Sequence, residues 1–349
     1  MSFRTGDFER RLASGRMARV LRIDPDGSDV LPLFTERATP AEDRLAQVLG
    51  EARISGPLVP VPPASVRAVR PETREIHGLG PVTCLADRHR AAPDGAHLAA
   101  PLHLLRLAAA RLAPGELLVN ANHFLFLPPE LAGPWDAYGD PIGLTMADGI
   151  VETPPQLRRA CLLMTRTGPA IRRLGFADCR ITLPDGRMAF THGHGAAERG
   201  EPLTAFPLFH GSQGGASPVA PGLWDAAHVA RHAVALKPGG GMPIPRAGCV
   251  IRFASQAEAE AARHIAYSLD PDIAQGVQAE PIIVEDGAAT EAWRDVFAEE
   301  MMRPDPSRPD AVAVSPHAWA ADWHKTRAAR LAAGITAGGA LFFCAVEGT

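Results

Sequence analysis

An α+β fold, built on one large, mainly antiparallel, curved sheet with flanking helices, is what three features of this sequence predict. Short apolar runs alternate with Asp-Gly and Pro-Gly turns, the spacing of strands joined by tight connections. The 349 residues include 33 Gly and 33 Pro, a density that interrupts long helices. Few stretches place their apolar residues at the helical period.

The stretch that orders the chain runs from Leu117 to Met164. Leu117-Leu118-Val119 reads as a strand that delivers Asn120-Ala121-Asn122-His123-Phe124, with Asn120 and Asn122 on one face by alternation. A loop rich in Pro, Gly and acids follows to Asp140-Pro141, and then Ile142 to Met146 reads as a strand. It turns at Ala147-Asp148-Gly149 into Ile150-Val151-Glu152.

Before this stretch, the charged start, Met1 to Arg11, is compatible with a short helix, and Ala18 to Asp24 alternates as a strand. Thr39-Pro40 opens a helix that ends near Gly50. Val82 to Ala86 reads as a strand, and His97 to Leu112 as a Leu/Ala-rich helix. Beyond it come strands at Ala160–Thr165, Cys179–Leu183, Arg187–Thr191, Val229–Leu236 and Gly248–Phe253, in an antiparallel meander. Ser255 is placed to cap a helix from Gln256 to His264, and Glu291 to Met302 is expected to be helical. Strands at 281–285, 331–335 and 340–346 complete the reading, with a turn at Asp286-Gly287. The whole is expected to be one domain, 1–349, with an elaborate insertion at roughly 190–325.

A formal net charge of -4 with scattered Arg leaves no basic block for nucleic acid or anionic lipid. No run approaches the ~18 apolar residues of a membrane span, and the N-terminus lacks a signal's apolar region, so a cytoplasmic protein is expected. The five cysteines, widely spaced and without zinc spacing, are expected to be buried thiols. No cofactor is expected. A divalent metal at His192, His194 and His210 is the lesser alternative, since His192-Gly193-His194 lacks a third ligand at fixed spacing.

The order of these pieces resembles the phosphodiester glycosidase family. Asn120-Ala121-Asn122-His123-Phe124 resembles its Asn-x-Gly-Phe-Phe segment, and Gly143 to Gly149 resembles its Gly-Leu strand and Asp-Gly turn. Arg158-Arg159-Ala160-Cys161 is similar to its next strand. Weaker likeness runs through Met242 to Val250 and Ile283 to Gly287. Ala329-Arg330-Leu331 stands where the family carries Pro-Arg-Thr, and Glu347-Gly348 where it carries Asp-Gly. The family continues to an Asn-Leu-Asp-Gly-Gly-Gly-Ser segment that this sequence lacks, so a second polypeptide completing the domain is one expectation.

The resemblance implies a hydrolase acting on a sugar-1-phosphodiester or related glycoside, with a non-catalytic carbohydrate- or partner-binding relative as the alternative. Such a bond breaks through an oxocarbenium-like state with carboxyls on either side, and a phosphate leaving group needs less protonation. Arg330 is the candidate for holding that phosphate, Asp140 for the acid and His123 for proton transfer. Asn120, Asn122, Arg159 and Glu347 are the candidates for binding substrate. Asp148 sits where a turn favours Asp for its own reasons, and Glu152 is a weaker acid candidate.

Overall fold

The computed structural model describes residues 6–12, 17–23, 58–60, 67–89, 97–99, 112, 119, 121–125, 133–156, 159–191, 207–210, 215–279, 281–290 and 330–346. In chain order its strands begin with β1 (Gly6–Arg11), β2 (Met17–Ile23), β3 (Leu58–Pro60), β4 (Ala68–Ile76), β5 (Gly80–Ala86) and β6 (His97–Ala99). Next come β7 (His123–Phe124), β8 (Pro141–Ile142), β9 (Thr145–Ala147), β10 (Ile150–Thr153), β11 (Arg159–Thr165) and β12 (Gly168–Leu174). Then follow β13 (Arg180–Thr182), β14 (Met188–Thr191), β15 (Pro207–His210), β16 (Trp224–Val229), β17 (His232–Pro238) and β18 (Gly248–Phe253). Helix α1 (Gln256–Ala261) precedes β19 (Ala266–Ser268), β20 (Ile273–Gln278), β21 (Val284–Glu285), β22 (Ala288–Ala289), β23 (Arg330–Ile335) and β24 (Leu341–Val346).

Fourteen strands form one sheet in the order β12-β11-β20-β9-β10-β19-β13-β14-β15-β18-β16-β17-β5-β4. Its ladders are antiparallel except β14–β15, so the fold is α+β with a large antiparallel sheet. At β18 both faces of the sheet are covered: by alternation Cys249, Ile251 and Phe253 enter one apolar cluster and Val250 the other. Leu144, Leu163, Ile181, Leu236 and Tyr267 share the first cluster, with Ala259 and Ala262 from the α1 end. Burying each such large side chain stabilises the fold by roughly 1.5–3 kcal/mol.

A second sheet, β1-β2-β24-β23, lays Leu341 and Phe343 on Leu162 of β11 and Val277 of β20. Val119 packs into this junction, which puts the chain just before Asn120 between the two sheets. Among the described residues no helix is long and apolar enough to cross a membrane.

Local chemistry explains the turns. Asp148-Gly149 and Asp286-Gly287 both have two successive positive φ angles, 49° and 77° and 49° and 76°, as two-residue hairpins require. Ser255 caps α1, its side chain accepting from Glu258 N at 3.2 Å.

Several expectations are corrected. Residues 6–11 are a strand and not helix, because β2 offers a complete ladder from Gly6↔Arg22 to Arg11↔Met17, and pairing outweighs weak helix propensity. His97–Ala99 is a strand beside β3, and the remainder of the helix expected there lies outside the described residues apart from Leu112, as do the helices at 39–50 and 291–302. Val229–Leu236 is not one strand: Ala230, at φ 49°, turns β16 back into β17. Ile142–Met146 is broken by Gly143 at φ 97°, which separates β8 from β9. Strands β4 and β20 were not foreseen at all.

Candidate functional site

The site is built where the organising stretch meets the ends of β9, β11 and β20. Asn122 is half-buried just before β7, and its Nδ2 donates to Leu144 O at 2.7 Å. This fixes the amide plane, and Oδ1 accepts nothing from the described residues.

Leu144 N in turn donates to Gln278 Oε1 (3.1 Å), which also accepts from Gln156 N (2.9 Å). Gln278 Nε2 donates to Gln156 O (2.8 Å), Leu174 O (3.1 Å) and Arg159 O (3.3 Å). One buried side chain thus ties together the β8–β9 corner, the start of β11 and the end of β12. Gly143 is glycine for a reason beyond its φ of 97°: a Cβ there would meet Gln278 Oε1 at 2.1 Å. Thr153 Oγ1 donates to Gly143 O at 2.7 Å and bonds Thr145 Oγ1 at 2.6 Å. Arg159, 2% exposed, joins this web through its backbone carbonyl.

Asp140 lies apart from this web. Its carboxylate is ion-paired with Arg88 and accepts from Ala137 N at 3.0 Å, while Arg88 Nε donates to Trp135 O at 3.0 Å. Arg88 and Asp140 are 1% and 3% exposed, and burial above all pushes the Asp140 carboxyl up, against the pull of Arg88. The geometry gives Asp140 the work of pinning the 133–140 loop to the turn after β5. Asp148 is likewise engaged, accepting from Gln275 Nε2 at 3.0 Å while its own N–H donates to Gln275 Oε1 at 3.1 Å.

Asp136, in the same loop, accepts from Gly133 N (2.9 Å) and Arg246 N (2.8 Å). Burial, with a smaller contribution from Asp140, raises its pKa from 3.8 to about 6. Between those values the folded state holds the proton more tightly, so this group stabilises the fold fully below the lower value. The benefit is lost as pH rises through the upper one, a span worth about 3 kcal/mol. Asp136→Asn should therefore gain on the wild type in urea stability as pH rises from about 4 to 7. A difference between the two proteins that does not change with pH would refute this assignment.

The other expected residues are dispersed. His123 lies on β7 opposite Ile142, and Arg330 opens β23 in the second sheet opposite Val346. Asn120, Glu347, His192 and His194 lie outside the described residues, and His210 ends β15. Among the described residues no group of three His, Cys, Asp or Glu could hold a metal. Sequence reasoning missed Arg88, Asp136, Gln156 and Gln278. The one available signal was Gln275 interrupting, and Gln278 ending, an otherwise small and apolar run, Ile273 to Val277.

No family model matches this sequence, and no curated protein matches it. Among solved structures, a hypothetical protein from Synechocystis is 16% identical with a TM-score of 0.36, over 79% of this chain and 50% of that one. The chain thus spans half the length of that protein. A candidate exported protein from Burkholderia pseudomallei K96243 is 17% identical with a TM-score of 0.41, over 100% of this chain and 85% of that one. The expectation of a cytoplasmic protein is corrected here: one of these two proteins is described as exported, and a missing leader-like stretch assigns no compartment.

Proposed function

We propose that this chain is a phosphodiester-glycosidase-like hydrolase whose substrate, a sugar-1-phosphodiester or related glycoside, is held at Asn122 and Arg159. The observation that carries the reading is the path Asn122–Leu144–Gln278–Arg159, because it joins three separate segments that resemble the family. In this reading Asn122 Oδ1 accepts from a sugar hydroxyl, and the Arg159 guanidinium takes the negative charge that develops on the departing phosphate. A leaving group of that kind needs little protonation, so Asp140 need not quit Arg88. Arg330 and a second polypeptide remain proposals for completing the phosphate side.

The engagement of Asp140 by Arg88 and of Asp148 by Gln275 favours one second reading, a carbohydrate-binding relative without turnover. The test is release of free sugar from a panel of glycosyl phosphodiesters. Turnover should fall by about 10²-fold in Asn122→Ala, with the melting temperature nearly unchanged. Sugar-phosphate binding without release would select the second reading, and neither binding nor release would remove both.

A further inference from the structure

The end of α1 is fastened to the β16–β17 corner by contacts that run through histidines. His228 on β16, fully buried, has Nε2 at 2.8 Å from Ala262 O and Nδ1 at 3.2 Å from Ala226 O. Ala233 N donates to Arg263 O at 2.8 Å, and Ile265 N donates to Arg231 O at 2.9 Å. Between these bonds His232 and His264 form a β-bridge, and their rings meet edge to face with centroids 4.9 Å apart. This joint therefore gathers three imidazoles and two arginines.

Among the described residues few negative charges face it. Glu152 of β10 is held by Arg231 at 2.8 Å. On α1 itself, Glu258 bonds Arg187 and Ala254 N, and Glu260 bonds Gln256. Tyr267 of β19 and Cys249 of β18 stay neutral, since burial raises the first well above 10 and the second to about 12.

We propose that this joint is an acid-released latch: protonation of His228 and His232 frees residues 256–265 from the β16–β17 corner while the large sheet stays paired. The physical reason is that the closed latch is a poor place for the added charges. His228 would carry one in full burial, which its two carbonyl contacts offset only in part, and His232 would carry one beside His264 and Arg231.

Burial foremost holds the pKa of both His228 and His232 at about 4, against 6.5 for the free ring. At His228 the carbonyls of Ala262 and Ala226 pull the other way, and at His232 the neighbouring His264 and Arg231 lower it further. The closed state thus binds fewer protons, and its advantage is present above the free value and lost as pH falls toward the lower one. For each histidine the ratio of open to closed rises about thirtyfold by about pH 5.

The experiment is amide hydrogen exchange on the full chain at about pH 7.5 and 5, corrected for intrinsic rates. Protection over 256–265 should fall by at least about thirtyfold while β16, β17 and β18 keep theirs, and His232→Asn should reduce the fall by about thirtyfold. Ring-proton titration of the wild-type histidines by NMR adds a check independent of the variant, with His232 expected to stay neutral down to about pH 5. Unchanged protection, a uniform loss across the sheet, a variant that responds like the wild type, or a His232 ring titrating at the ordinary value would each overturn the latch.

Discussion

Arg88→Met should cost about 3–5 kcal/mol, measured by urea unfolding at neutral pH, because it leaves the Asp140 carboxylate buried without its cation. The pair is almost fully enclosed, and among the described residues Asp140 has only Ala137 N besides Arg88 to satisfy it. Losing the bond from Arg88 Nε to Trp135 O adds to the cost. The deficit should shrink as pH falls, since the stranded carboxyl, already raised by burial, then takes up a proton. The double change Arg88→Met with Asp140→Leu should recover much of the loss, because a buried pair's attraction is largely offset by the cost of taking both ions out of water. A single-variant deficit below about 1 kcal/mol would show that the pair does not hold the 133–140 loop.

Gln278→Leu should be the most damaging single change near the candidate site. It fits the space but abandons Leu144 N, Gln156 N and the carbonyls of Gln156, Arg159 and Leu174. Leu144 N and Gln156 N lose their acceptor, whereas Gln156 O keeps Arg159 N at 3.4 Å and Arg159 O keeps Cys161 Sγ at 3.6 Å. Each buried backbone group left unpaired costs about 1–3 kcal/mol, so the loss cuts deeply into the roughly 5–15 kcal/mol that keeps a domain folded. Loss of soluble folded protein is the expected result. Gln278→Glu separates the donor from the acceptor half of the amide. Its carboxylate can still accept both N–H groups but faces three carbonyl oxygens, and only the protonated form can donate to one of them. This variant should fold at about pH 5 and weaken as pH rises toward 7. Gly143→Ala should behave like the leucine variant, since the new methyl would press on Gln278 Oε1. A stable, pH-insensitive Gln278→Glu protein would count against the bonding assigned to that amide.

What the sequence disclosed was set by how local its causes were. The turn at Asp148-Gly149 and the cap at Ser255 were legible because the residues that dictate them are the residues that adopt them. The order of the large sheet was not, since β11 lies beside β20, with Cys161 opposite Gln278, and no local pattern names that partner. At the site, Asn122 was legible as a polar residue leaving an apolar run. Gln278 was hidden because all its partners are backbone groups, which every sequence possesses. Asp140 was misleading for a related reason: its loop looked polar and open, yet Arg88, 52 residues earlier in the chain, draws its carboxylate inside.

The two strands that end the large sheet bear on how these molecules behave at high concentration. Such strands offer unpaired backbone to any neighbour and invite chain-to-chain stacking. Here β4 contains Pro71 among Arg70, Glu72, Arg74 and Glu75, and β12 contains Pro169 with Arg172 and Arg173. Each proline withholds a donor, the ladder from β5 to β4 is irregular around Pro71, and the charges resist a second copy laid alongside. Fourteen strands can therefore lie side by side without seeding a fibre, and replacing both prolines with valine would remove that restraint at the two places where growth could begin.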